Sequence, residues 1–175
     1  LFKVLELMGY DWAKDCEHVA FGMVSYEGQA LSTREGHVIY LDDLLNNAIQ
    51  KARSIIDEKS PDLENKDEVA RQIGVGAVVF FALYNNRIKD IDFWWDRALN
   101  FDGETGPYVM YTHARCCSVL AKAGEMDAEP DFAALSDADA QEVVRLIGQF
   151  PETAKSALER NEPSLITRFT VDLSQ

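Results

Sequence analysis

Positive charge is scarce in this chain. Seventeen lysines and arginines stand against 30 aspartates and glutamates, for a net charge of −13. A protein that holds nucleic acid through phosphates alone shows a basic face, so this composition excludes a simple electrostatic binder, and DNA is not an expected partner. Long apolar runs are missing too. The longest, Val75 to Leu83, falls well short of the ~20 residues a membrane span requires, and reads instead as a buried helix. No charged-then-apolar leader precedes a small-residue cleavage site, so secretion is not expected. Cysteine is limited to Cys16, Cys116 and Cys117, an odd number with two adjacent. That pattern fits reduced thiols in a cytoplasmic protein. No Cys/His spacing suggests zinc, and no metal site is expected.

What is present allows a real core. At 175 residues and 47% hydrophobic content, the chain can fill one domain or two small ones. It starts on Leu1, and Gln175 closes an unfinished apolar pattern of Leu165, Ile166, Phe169 and Leu173. Both ends therefore look cut from something longer. The acid is also unevenly placed. Glu125, Asp127, Glu129, Asp131, Asp137, Asp139 and Glu142 follow one another with no base between them. Beyond Val143, Arg145, Lys155, Arg160 and Arg168 outnumber Glu152, Glu159 and Glu162 until Asp172. This predicts an acidic connector followed by helices with a mildly basic surface.

The local patterns predict mostly helix. Leu1, Val4, Leu5, Leu7 and Met8 suit a helix end stopped at Gly9. His18–Val24 and His37–Leu41 read as short strands on either side of a polar loop. Asp42 or Asp43 should cap a helix whose stripe is Leu44, Leu45, Ala48, Ile49, Ala52, Ile55 and Ile56, ended by Ser60-Pro61. A second helix fits Asp67 to about Tyr84. Gly74 and Gly76 weaken it by about 1 kcal/mol each relative to Ala, and permit close approach by another backbone. Asn85–Asn100 reads as irregular, and Thr105 as the cap of a helix running to Ala123-Gly124. Three short helices should follow the connector. Ser136 with Asp139 would cap the first, and Pro151 and Pro163 would stand near the starts of the others. With the Thr105 helix these predict an antiparallel four-helix bundle.

The most informative segment is Gly28-Gln29-Ala30-Leu31-Ser32-Thr33-Arg34-Glu35-Gly36. Ser32, Thr33 and Arg34 bring hydroxyls and a guanidinium to one point, and the flanking glycines let the loop move. The same tripeptide also suits an ordinary solvated turn. Its neighbours are Glu17-His18-Val19-Ala20-Phe21-Gly22-Met23-Val24 upstream and Leu41-Asp42-Asp43-Leu44-Leu45 downstream. Farther on come Ile73–Val78, Asp92-Phe93-Trp94-Trp95-Asp96-Arg97, Phe101–Tyr108 and Tyr111-Thr112-His113-Ala114-Arg115. This ordered set, across essentially the whole chain, closely resembles arginyl-tRNA synthetases, members of the class I aminoacyl-tRNA synthetases.

The resemblance implies an arginine–tRNA ligase that uses ATP, with Mg²⁺, to make arginyl-adenylate and then charges tRNA-Arg in the cytoplasm. It implies a fold that is mainly α with a small β element (α+β). Residues 1–104 would be the C-terminal remnant of a class I Rossmann-like catalytic domain, and 105–175 the start of the anticodon-binding bundle. Ala30–Arg34 occupies the place of the class I Lys-Met-Ser-Lys-Ser loop, with Ala30 and Thr33 where lysines usually stand. Arg34, Ser32 and Thr33 then become catalytic candidates, with Glu35 expected to point outward. His18, Phe21, Gly22, Met23 and Val24 would border the adenine, with main-chain groups near Met23 reading its edge. The other reading of that run is a buried strand with a satisfied histidine. His37 reads simply as a strand residue.

Trp94, Trp95, Tyr108, Tyr111, His113 and Arg115 either pack the hinge or stack RNA bases, and Tyr108, Tyr111 and Arg115 are the tRNA candidates. Asn161–Leu165 resembles the family's helix leading toward anticodon recognition. The other class I signature, of His-Ile-Gly-His type, occurs nowhere in the chain, so these residues alone are not expected to form adenylate. The alternative is a non-catalytic helical module derived from a synthetase that binds RNA or protein.

Overall fold

Two 19-residue helices, Leu41–Lys59 (α2) and Lys66–Tyr84 (α3), lie against each other and carry everything else. The computed structural model describes residues 1–32, 36, 38–124, 129 and 131–175. The α2–α3 seam is built from small residues: Ala48, Ala52, Ala70 and Ala77 are almost fully buried. A Cβ on Gly74 would fall 2.7 Å from the Ala48 carbonyl carbon and the Ile49 nitrogen. Backbone therefore meets backbone at Gly74, as its sequence context suggests. Ala52, Ile56 and Ala70 close the far end of the seam with Ile49, Val69 and Ile73.

A three-stranded sheet packs near the C-terminal end of α3. Strands Val24–Tyr26 (β1), Gln29–Ala30 (β2) and Ile91–Phe93 (β3) lie in the order β2-β1-β3. β1 is antiparallel to β2, with Tyr26 opposite Gln29, and parallel to β3, with Ser25 opposite Asp92. The β1–β2 turn has Glu27 at φ +49° and Gly28 at φ +79°. Two successive positive φ values match the twist of the strands they join. Phe93, Trp95, Ala98 and Leu99, from β3 and the short helix Trp95–Ala98 (α4), complete the main core against Ala48, Ala77 and Val78.

The chain opens on a short helix, Phe2–Leu7 (α1), that ends with Gly9 at φ +92° as expected. After the junction come Gly106–Ala123 (α5), Ala138–Glu159 (α6) and Ser164–Ser174 (α7). Thr105 caps α5, its side chain accepting the Tyr108 N–H. α7 packs on α3, α5 and α6, and Phe150 lies 5.3 Å from Phe169 between ring centroids. The whole is mainly helical with a small sheet, as expected.

Several local expectations fail for identifiable reasons. The strand expected over His18–Val24 begins only at Val24, because residues 18–21 lie exposed and Gly22 and Met23 bond the stretch before β3 outside a regular ladder. No strand covers 38–40. The hairpin turns earlier, at Glu27-Gly28, so β2 comes from the loop itself. The stretch expected to be irregular holds β3 and α4, since parallel pairing with β1 orders it. Asp42 and Asp43 sit inside the first turn of α2 rather than capping it, where their charge favours the N-terminal dipole end. Asp137, not Ser136, caps α6 by accepting the Ala140 N–H at 2.8 Å. Pro151 lies within α6, giving two helices after the connector instead of three. Its fixed φ is helical, so one lost hydrogen bond is carried by the turns on either side.

Candidate nucleotide site and nucleic-acid face

The segment before β1 is held by backbone contact that only glycine permits. A Cβ on Gly22 would lie 2.1 Å from the Lys89 carbonyl oxygen and 2.7 Å from the Asp90 nitrogen. The Gly22 N–H donates to the Arg87 carbonyl at 2.7 Å. Next to it, the Met23 N–H donates to Asp90 Oδ1 at 2.7 Å, and the Met23 carbonyl accepts from Ile91 N–H at 2.9 Å. Of the main-chain groups near Met23 expected to read an adenine edge, the two of Met23 itself are therefore already engaged. The Asp90 carboxylate takes the N–H, and the first residue of β3 takes the carbonyl.

The side chains of this segment remain available. Phe21 is 80% and Met23 69% exposed, with His18 and Val24 also exposed. An aromatic ring and a thioether on a backbone pinned by β3 give a planar base an apolar surface. His18 is not the satisfied core histidine of the alternative reading.

Asp92 organises the hairpin beside this segment. Its Oδ1 accepts from Gly28 N–H at 3.0 Å and from Ser25 Oγ at 2.7 Å, while Oδ2 accepts from the Trp94 indole. The Gly28 amide above all, then the Ser25 hydroxyl, holds this carboxyl below the usual aspartate range. The turn that launches the Ser32–Arg34 loop is thus fixed at its base by a charge in β3. Of the three loop candidates, Ser32 is half-buried in an isolated bridge. Thr33 and Arg34 lie outside the described residues, as do Glu35 and His37.

The junction aromatics divide into two groups. Trp95 is core, its indole N–H bonded to the Tyr26 hydroxyl at 2.7 Å, and Trp94 lies over the hairpin turn near Gly28. Tyr108 anchors α5 to α7 through its hydroxyl, which donates to the Ser174 carbonyl at 2.9 Å. Tyr111, 55% exposed, has the Arg115 guanidinium 5.8 Å from its ring centroid, one turn along α5. Tyr108, Tyr111, Arg115, Val119 and Leu120 share one shallow depression. The hinge-packing reading fits Trp95 and Tyr108, and Tyr111 with Arg115 offers an open aromatic-cation pair of the kind unpaired bases stack on.

Two residues that organise the site escaped the sequence reading. Asp92 stood in the sequence as the first residue of the Asp92–Arg97 motif and within the alternation around β3, with no role attached to its carboxylate. Arg87 had no signal, because its partners lie 67 to 74 residues away. Among the described residues no group of three or more His, Cys, Asp or Glu could hold a metal, and no helix is long and apolar enough to cross a membrane.

Known proteins resemble this arrangement throughout. Residues 1–95 match the family described as tRNA synthetases class I (R), catalytic domain, and residues 109–175 match the DALR anticodon binding domain. The arginine–tRNA ligase of Clostridioides difficile strain 630 is 56% identical over 175 residues, covering 99% of this chain and 31% of that protein. That of Halothermothrix orenii is 54% identical with the same coverage. The solved Thermus thermophilus arginyl-tRNA synthetase superposes with a TM-score of 0.88 at 34% identity, over 99% of this chain and 29% of that one. The chain spans about a third of the length of the curated relatives it matches.

Proposed function

The chain belongs to the arginyl-tRNA synthetase family of class I aminoacyl-tRNA synthetases, and on that premise we propose that the protein carrying it is an arginine–tRNA ligase. The observation that carries this reading is the joining, in one chain, of a catalytic-domain end and an anticodon-domain start, in that order. We divide them at residues 1–104 and 105–175, with the α5 cap at Thr105 as the first residue of the second unit.

In the reaction the arginine carboxylate attacks the α-phosphorus of ATP, the bond to the β-phosphate oxygen breaks, and pyrophosphate leaves. The terminal ribose hydroxyl of tRNA-Arg then attacks the arginyl carbonyl and AMP departs. Displacement at phosphorus is governed by positioning and charge neutralisation, so mobile donors near the phosphates suffice. Arg34 supplies a permanent cation with a planar fork, and Ser32 and Thr33 supply hydroxyls. Phe21 and Met23, with His18, Gly22 and Val24, border the adenine through side chains and backbone shape. ATP arrives as its magnesium chelate, so the ion enters with the substrate.

Tyr111 and Arg115 face the tRNA, with Tyr108 holding α5 in place behind them. The acidity of the chain matches a role in which stacking, rather than phosphate attraction, supplies this region's share of the contact. The cytoplasm is the compartment in which these substrates meet. The direct test is tRNA charging by the full-length protein with each of the twenty amino acids in turn. Labelled arginine alone should enter acid-precipitable tRNA; incorporation of a different amino acid in its place overturns the proposal.

A further inference from the structure

Arg87 lies between α3 and β3, and its guanidinium turns to main-chain carbonyls instead of carboxylates. Nε donates to the Asn161 carbonyl at 2.8 Å and one terminal nitrogen to the Arg160 carbonyl at 3.3 Å. The other terminal nitrogen donates to the Ala20 carbonyl. The Arg87 carbonyl in turn accepts the Gly22 N–H. One residue therefore grips the pre-β1 segment at positions 20 and 22 and, with the same planar group, the joint between α6 and α7.

That joint is itself firmly made. Asn161 adopts a left-handed φ of +50°, its N–H bonded to the Leu158 carbonyl and the Glu162 N–H to the Ala157 carbonyl. The buried Glu162 carboxylate accepts from Ser164 Oγ at 2.7 Å. Thr167 Oγ1 donates to the Leu83 carbonyl at 3.2 Å, fixing the first turns of α7 to the end of α3. A rigid joint on one side of a rigid fork transmits displacement to whatever the fork holds on the other. Lysine cannot replace the fork, since a single ammonium on a flexible stem lacks the spread donors that reach carbonyls on two segments.

We propose that Arg87 is a positioning residue through which the α6–α7 joint holds the Ala20–Gly22 segment in its ATP-binding position, so that moving the joint alters ATP affinity. This rests on the assignment of that segment to the nucleotide site. Loss of one hydrogen bond to a charged group corresponds to about tenfold or more in binding, and ATP binding is where the loss should register.

The experiment uses the full-length protein and reads KM values in arginine-dependent pyrophosphate exchange with tRNA-Arg present, with equilibrium dialysis of ATP alongside. Arg87→Lys should raise the KM for ATP by about tenfold, leaving kcat and the KM for arginine within about twofold, the signature of lost uniform binding. Asn161→Val places a β-branched residue at a left-handed position and should also weaken ATP binding, by about threefold to tenfold, though it lies in the helical bundle. Asn161→Gly keeps that backbone conformation and should match the wild type. The double variant R87K/N161V should be no worse than R87K, because both break one link.

Should N161V not fold, R87K against N161G carries the test. An unchanged ATP affinity in folded R87K overturns the proposal, as does an equal loss across ATP, arginine and kcat. If wild-type protein shows no arginine-dependent exchange but binds ATP, and R87K weakens that binding, the ligase reading fails while the role of Arg87 stands.

Discussion

The indole N–H of Trp95 donates to the Tyr26 hydroxyl at 2.7 Å in the core, with Phe93 packed against both rings. The Phe93 ring stacks on Tyr26 at 5.9 Å and meets Trp95 edge-on at 5.0 Å. This contact joins β1, which leads into the signature loop, to α4, which leads into the junction. A buried indole donor needs an acceptor, and among the described residues the phenolic oxygen supplies it. Tyr26→Phe keeps the ring and removes the acceptor. It should destabilise the fold by about 1–3 kcal/mol, read as a lower denaturant midpoint with an unchanged slope; an unaltered midpoint would show that water satisfies the indole.

Gly74 and Gly76, two residues apart on α3, should respond very differently to the same change. A methyl group at Gly74 meets the backbone of α2, and a methyl group at Gly76 meets the flexible end of Met110. Backbone cannot step aside as a thioether can. Gly74→Ala should cost about 3 kcal/mol through overpacking of the seam. Gly76→Ala should be close to neutral, its clash offset by the better helix propensity of alanine. Thermal unfolding of both variants decides it, and equal shifts would refute the close-approach reading of Gly74.

The Asp92 carboxylate makes the hairpin sensitive to acid. Its folded pKa lies below the ordinary value of 3.8 because the Gly28 amide and the Ser25 hydroxyl bond its charged form. A lowered folded pKa means stabilisation that is present above the unfolded value and lost as pH falls through the folded one. Hydrogen-exchange protection at the Gly28 amide should therefore hold at neutral pH and decline below about 3.8. Asp92→Asn should show weaker protection at neutral pH, with the difference from wild type closing in acid. A difference that stays constant across that range would remove the charge from the explanation.

Much of this architecture was legible where it depends on local periodicity. The α2 stripe, the α3 span, the Gly9 stop and the Thr105 cap all follow from spacing within one element. The sheet was not legible to the same degree. Two- and three-residue strands carry too little pattern, and β3 exists because β1 lies beside it in parallel, 67 residues earlier. Pro151 misled for a related reason: proline marks a helix start only where the preceding turns are not already held. At the candidate site, residue types and order pointed to the loop and to the segment proposed to border the adenine. The engagement of Met23 by Asp90 and Ile91, and the clamp at Arg87, arise from tertiary contacts that no local spacing encodes.

The central claim is that the loop after β2 serves arginine activation in the full-length protein. It is tested most directly by arginine-dependent ATP–pyrophosphate exchange in the presence of tRNA-Arg, measured for the wild type and for Arg34→Ala. The expected result is exchange driven by arginine and by no other amino acid, falling by ~10²-fold or more in Arg34→Ala because transition-state charge loses its cation. Exchange driven by another amino acid, or an Arg34→Ala rate equal to wild type, would contradict it.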